Sequence, residues 1–160
     1  MVGAIMGQFI NDTLSKQIER GEVFYGEVVS VEVADFTPQY FKIVTDANEV
    51  SLRMGVVAKD DIALVLTKGG ALTGTSVPLA NMNTNSATTM GTTVTYGTTG
   101  PSTGINVMST VFANGETSPL TPTGIESGII LEPSTTYVGY VIPICGSPLW
   151  PYVSFFLRDV

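Results

Sequence analysis

The chain has 160 residues, is 44% hydrophobic and only 13% charged, a balance too apolar for a disordered polypeptide and about half as charged as the soluble average. Seven basic residues face fourteen acidic ones for a net charge of −7, which excludes bulk nucleic-acid binding, because that affinity comes from Lys and Arg displacing counterions. There is no histidine and Cys145 is the only cysteine, so His-dependent catalytic relays, histidine metal sites and an intrachain disulfide are excluded as well.

One compact core is expected at this length, burying roughly 70% of the surface of the unfolded chain. The charge that remains is uneven. No basic residue lies between Lys68 and Arg158, and Glu116, Glu126 and Glu132 are the only acids there. The surface of the second half must therefore be built from Thr, Ser, Asn and Gly, or be hidden against other chains.

The N-terminal "MVGAIMGQFI" places Val2, Ile5, Met6 and Phe9 in an apolar arm. It has no basic leader region and is broken by Gly3 and Gly7, so it is expected to be neither a signal peptide nor a membrane span, and the chain is read as soluble and unprocessed. "INDTLSKQIERG" predicts a short helix: Asn11 or Asp12 is the N-cap, Ile10, Leu14 and Ile18 recur at i, i+4 and i+8, and Gly21 is the stop. Such a helix is marginal alone, so its apolar edge must dock, either on its own domain or on a neighbouring subunit. The expected organisation is an arm and helix over 1–21 and a β domain over 22–160.

From Glu22 the period becomes two. Val29, Val31 and Val33 alternate with Ser30 and Glu32, and strands follow at 40–44, 49–57 and 61–66. "TKGGALTGTS" (67–76) reads as a glycine-rich turn that lacks the order of a phosphate-binding loop. The stretch 78–104 carries no charged side chain; within it Val94 and Tyr96 alternate with Thr, which favours one exposed strand set between glycine turns. Further strands are expected at 104–115, 128–132, 135–144 and 151–159, with turns at Asn114-Gly115, Pro133-Ser134 and Gly146-Ser147-Pro148. Eight to ten short strands and no second helix predict an all-β, antiparallel sandwich, with Pro143 and Pro151 at strand ends or edges.

The residues that could carry chemistry have plainer readings. Asp60 and Asp61 end a turn, since neighbours on a strand face opposite sides. "DANE" (46–49) and "NMNTN" (81–85) are oxygen-rich but miss the spacing of a calcium loop and read as Asn/Asp turns. "GIESG" (124–128) misses the nucleophile-elbow register, and Cys145 in "YVIPICG" reads as a small buried apolar residue. No catalytic residue, metal or cofactor is expected. Trp150, between Pro148 and Pro151 and near Tyr152, reads as core filling by the last strand; the alternative is an aromatic platform for a ligand.

Asn81, Asn83, Asn85 and Ser86, then Leu131, Pro133 and Tyr137, then Val153, Phe155 and Phe156 together resemble a pattern of the β-sandwich decoration or cement proteins of tailed-bacteriophage capsids. The similarity covers roughly residues 35–160, and Thr84 stands where the Asn stretch of that family usually carries a basic residue. The resemblance implies a jelly-roll-like sandwich, a homotrimer on the outer surface of an icosahedral virion that bridges subunits of the major capsid protein, with no nucleic-acid or membrane partner. In that reading Val2, Ile5, Met6, Phe9, Ile10, Leu14 and Ile18 form a hook onto neighbouring subunits, and Asn81, Asn83 and Asn85 are loop contacts. The alternatives are a glycan- or receptor-binding sandwich of a head fibre or tail, using Trp150 and Tyr152, and a neck or tail accessory protein.

Overall fold

A computed structural model describes residues 15–29, 32–112, 118–119 and 129–160. Residues Val2, Ile5, Met6, Phe9, Ile10 and Leu14 of the expected arm and helix lie outside the described residues, as do Val31, the "GIESG" segment and the Asn114-Gly115 turn. After a helical turn at 15–19 the chain forms β1 (Val23–Val29), β2 (Gln39–Val44), β3 (Val50–Val57), β4 (Ile62–Val77), β5 (Ala80–Asn81), β6 (Thr93–Phe112), β7 (Ser118–Pro119), β8 (Ile129–Leu131), β9 (Thr136–Pro143) and β10 (Tyr152–Asp159).

Two antiparallel sheets pack face to face. The first runs β5-β1-β10-β3-β7, with β8 also paired to β3; in the second, β2, β6, β4 and β9 pair in a closed circuit. Along the chain β1 and β3 go to the first sheet and β2 and β4 to the second; β6 and β9 then return to the second and β8 and β10 to the first. The expected fold class, an all-β antiparallel sandwich, therefore holds.

Alternation of side chains explains why these segments pair as they do. Leu52, Met54 and Val56 of β3 and Val153, Phe155 and Leu157 of β10 are buried, as are Phe41 and Ile43 of β2 and Ile62, Leu64 and Leu66 of β4. Each such side chain contributes about 1.5–3 kcal/mol relative to exposure. Phe41 and Phe155 meet across the sandwich edge to face, ring centroids 5.3 Å apart, the geometry that the aromatic quadrupole favours.

Three local expectations are corrected. The first strand starts at Val23, several residues earlier than the valine alternation suggests, and Val33 makes only an isolated bridge to Leu149. The segment 67–76 is not a turn: it continues β4, which is 16 residues long. The strand expected near Val94–Tyr96 and the described part of the one expected over 104–115 are one strand, β6, of 20 residues.

β4 and β6 thus form a long two-stranded ribbon, paired from Ile62↔Phe112 to Val77↔Val94. Its first half lies beside β9, where Ile62 to Gly69 pair with Pro143 to Tyr137. Its far half lies beside β2, where Thr93 to Gly97 pair with Val44 to Tyr40. The ribbon must therefore cross the outer face of β9 and β2. Register shifts at Leu66/Thr67 and Ala71/Thr73 supply the bend, and Gly70 makes it sterically feasible: its φ is +94°, and a Cβ there would sit 2.3 Å from the Ser102 carbonyl oxygen. Val138 alternates with the buried Tyr137 and Gly139 on β9 and yet is itself fully buried, because the ribbon covers it. Thr67 Oγ1 donates to the Val138 carbonyl at 2.6 Å and accepts the Gly104 N–H at 3.0 Å, and Lys42 Nζ donates to the Leu72 carbonyl at 2.8 Å.

Candidate interaction surfaces

The asparagine stretch holds the end of the helical turn. Gly21 N–H bonds the Ile18 carbonyl at 2.9 Å and Glu22 N–H bonds the Gln17 carbonyl at 3.0 Å, the paired bonds of a Schellman stop. Gly21 has φ +71°, and a Cβ there would meet Ser86 Oγ at 2.3 Å. Asn81 Nδ2 donates to the Gly21 carbonyl at 2.9 Å and Asn83 Nδ2 to the Glu19 carbonyl at 2.6 Å, satisfying carbonyls that a helix end otherwise leaves unpaired. Each of these side-chain oxygens also accepts a backbone N–H two residues on, Asn83 for Asn81 and Asn85 for Asn83, which are Asx turns. Of the three asparagines, only Asn85 is exposed. Ile18 is half-buried and Gln17, off the expected apolar edge, is buried. Next to this joint the loop after β4 frames an open cleft of about 440 Å³ lined by Phe24, Leu79, Asn81, Ser86, Met90 and Thr92, among others.

On the outer face of the first sheet, Tyr25 lies opposite Phe156, which in turn lies opposite Arg53; the Tyr25 and Phe156 rings are 5.0 Å apart. Tyr25 and Tyr152 both donate to the Glu27 carboxylate, Tyr25 at 2.6 Å, and their hydroxyls lie 2.9 Å from each other. Burial, then the hydrogen bond to Glu27 and its charge, push the Tyr25 phenol up to about 12. Burial, with Arg158 as a like-charged neighbour, lowers the Arg53 guanidinium from its ordinary value. Trp150 adjoins this cluster in sequence but is 62% exposed, so the core-filling reading of Trp150 is wrong. The segment is apolar in composition, yet Leu149 and Pro151 are the residues that turn inward. Tyr152 is half-buried.

The ribbon is the third surface, and sequence reasoning missed it by dividing it into turns and separate strands. Residues 69–115 contain no charged side chain. On β6, Met108 packs against the core while Ile105 is 79%, Val107 46% and Val111 58% exposed. At its base Lys68 pairs with Glu132 at 2.6 Å, and that hydrogen bond raises the Lys68 ammonium above its usual range.

The remaining polar candidates sit in turns. Asp61 N–H bonds Asp60 Oδ1 at 2.8 Å and Asn48 N–H bonds Asp46 Oδ1 at 3.0 Å. Cys145 is half-buried rather than buried, at the edge of the core, with Sγ 3.3 Å from the Ser147 carbonyl. Among the described residues no group of three or more His, Cys, Asp or Glu is placed to hold a metal, and no helix is long and apolar enough to cross a membrane. No protein-family model, curated protein or solved structure matches this chain.

Proposed function

We propose that this protein is a structural component of a virion that decorates and stabilises an icosahedral bacteriophage capsid, bridging subunits of the major capsid protein as a homotrimer on the outer surface. The observation that carries the reading is the ribbon: a long, Thr-rich β surface, uncharged beyond Lys68 at its base, with exposed Ile105, Val107 and Val111, of a kind that contact with other chains satisfies without burying unpaired ions. The jelly-roll sandwich supplies a rigid support for it. Repeating one modest contact three times on a trimer raises the holding strength far above that of a single contact, provided the sites engage together. The resemblance of the asparagine stretch and the closing aromatic strand to decoration proteins supports the same assignment.

The test is binding to purified capsids, with electron microscopy giving location and stoichiometry. In this reading the apolar residues from Val2 to Ile18 are the hook, all but Ile18 lying before residue 15, so deletion of residues 1–14 should abolish coating and leave the sandwich folded. The cut belongs before residue 15, because Glu19 and Gly21 accept hydrogen bonds from Asn83 and Asn81. Normal coating by the truncated protein would overturn the hook.

A second reading is favoured by the exposure of Trp150: a glycan- or receptor-binding sandwich of a fibre or tail, in which Trp150 stacks on a sugar ring beside Tyr152. Replacing Trp150 with Ala would then abolish glycan binding at unchanged stability. A glycan array without hits would sink this reading.

A further inference from the structure

We propose that the outer edge of β6, residues 102–112, is the self-association surface of this protein, and that a second copy of the chain packs on it. The inference deepens the assembly role proposed above by assigning the self-contact to one strand.

Four observations meet at this strand. β2 pairs with β6 only from Thr93 to Gly97, so from Thr98 to Phe112 the strand is hydrogen-bonded on one side only, to β4, among the described residues. The other side carries a row of backbone N–H and C=O groups, a template for a further strand. Soluble proteins guard such edges with Lys, inward charges or proline; here Pro101 stands at the start of the open stretch and no charge or proline follows through Phe112. The open stretch also presents Ile105, Val107 and Val111, the only exposed large apolar residues on β6 among the described residues.

The fourth observation concerns charge, and it selects the occupant. Every charged residue of this −7 chain lies outside residues 69–115, so two copies meeting here oppose no like charges, whereas the chain's whole excess of acidic groups lies elsewhere. Recognition at this edge therefore rests on backbone pairing and aliphatic contact rather than on opposite charges. An uncharged surface with backbone groups that lack a strand partner among the described residues, and with scattered aliphatic side chains, is complementary to itself.

The experiment is sedimentation of the full chain across concentration, comparing the parent protein with Ile105→Lys/Val111→Lys. Both positions are exposed in the single chain, so the circular dichroism and melting temperature of the variant should match the parent. The expected result is an oligomeric parent and a variant whose dissociation constant rises at least about tenfold. Should the double variant fail to fold, Ile105→Thr, which keeps the β-branch and removes the apolar tip, is measured in its place and should also weaken association. A parent that stays monomeric at roughly 100 µM overturns the proposal, as does a folded variant that associates as tightly as the parent. Capsid binding is scored separately. A parent that oligomerises through this edge but ignores capsids would sink the decoration role and leave this inference standing; a variant that loses capsid binding at unchanged oligomeric state would assign the edge to the coat protein and overturn it.

Discussion

Replacing Thr67 with Val tests whether the ribbon is pinned where it leaves β9. Thr67 is buried, and its hydroxyl sits at a register shift, donating to the Val138 carbonyl at 2.6 Å and accepting the Gly104 N–H at 3.0 Å. Valine has nearly the same shape but no hydroxyl, so the substitution is not a neutral swap. Two backbone groups lose the hydroxyl as a partner. Val138 is fully buried, and its carbonyl bears the larger penalty; Gly104 is exposed, and its N–H can turn to solvent. A buried group left unsatisfied costs about 1–3 kcal/mol, so the expected loss is about 2 kcal/mol, chiefly from Val138. The control is Thr67→Ser, which keeps both bonds and loses only a methyl group, at about 0.8 kcal/mol. In urea denaturation, with a slope of about 2 kcal/mol per molar, the Val variant should unfold about 1 M earlier than the parent and clearly earlier than the Ser variant. If Thr67→Val is as stable as Thr67→Ser, the hydroxyl is not the pin and the account of the crossing is wrong.

Three further outcomes are expected. Trp150→Ala should change stability by less than about 0.5 kcal/mol, the usual range for surface substitutions; a loss near the roughly 3–5 kcal/mol of a core tryptophan would show that the side chain is buried in solution. Gly21→Ala should destabilise by about 1 kcal/mol or more, because it forces a side chain into a left-handed position and against Ser86, and should speed tryptic cleavage after Arg20; unchanged cleavage would count against a fixed helix stop. Tyr25, pushed up to about 12, should remain un-ionised in the folded protein at pH 11 while free tyrosine ionises near 10. A folded phenol that holds its proton more tightly than the unfolded one adds stability below pH 10 and loses it as pH rises toward 12; a spectrophotometric titration with a full complement of tyrosines ionising at pH 10 would contradict this.

The sandwich was legible where one face of a strand is wholly buried. β2, β3, β9 and β10 each show the two-residue alternation over most of their length, and their expected limits lie within one or two residues of those observed. β1 was harder to place because Gly26 and Glu27 interrupt its pattern, while the valine alternation begins at Val29, where β1 ends, and Val33 makes a single bridge. The ribbon was illegible for a specific reason. Glycine usually marks a turn, but here Gly74 lies against Gly97, and Gly69 and Gly70 against residues 102–104, so the glycines let two backbones approach and coil; nothing local distinguishes the two uses. Of the interaction residues, Asn81 and Asn83 were found as a motif but not as ties to the helix end, which depends on contacts some sixty residues away. The exposure of Trp150 was hidden by its apolar neighbours, since composition does not reveal which member of "PLWP" turns outward.

β10 lies between β1 and β3, paired in register with β3 along its full length and with β1 from Tyr152 to Arg158. During synthesis, every copy still short of residue 152 holds the first sheet with an unfilled slot one strand wide, open on two sides to any uncharged strand nearby. β10 is thus the keystone of the sheet, and crowded nascent copies are at greatest risk of cross-pairing until it arrives.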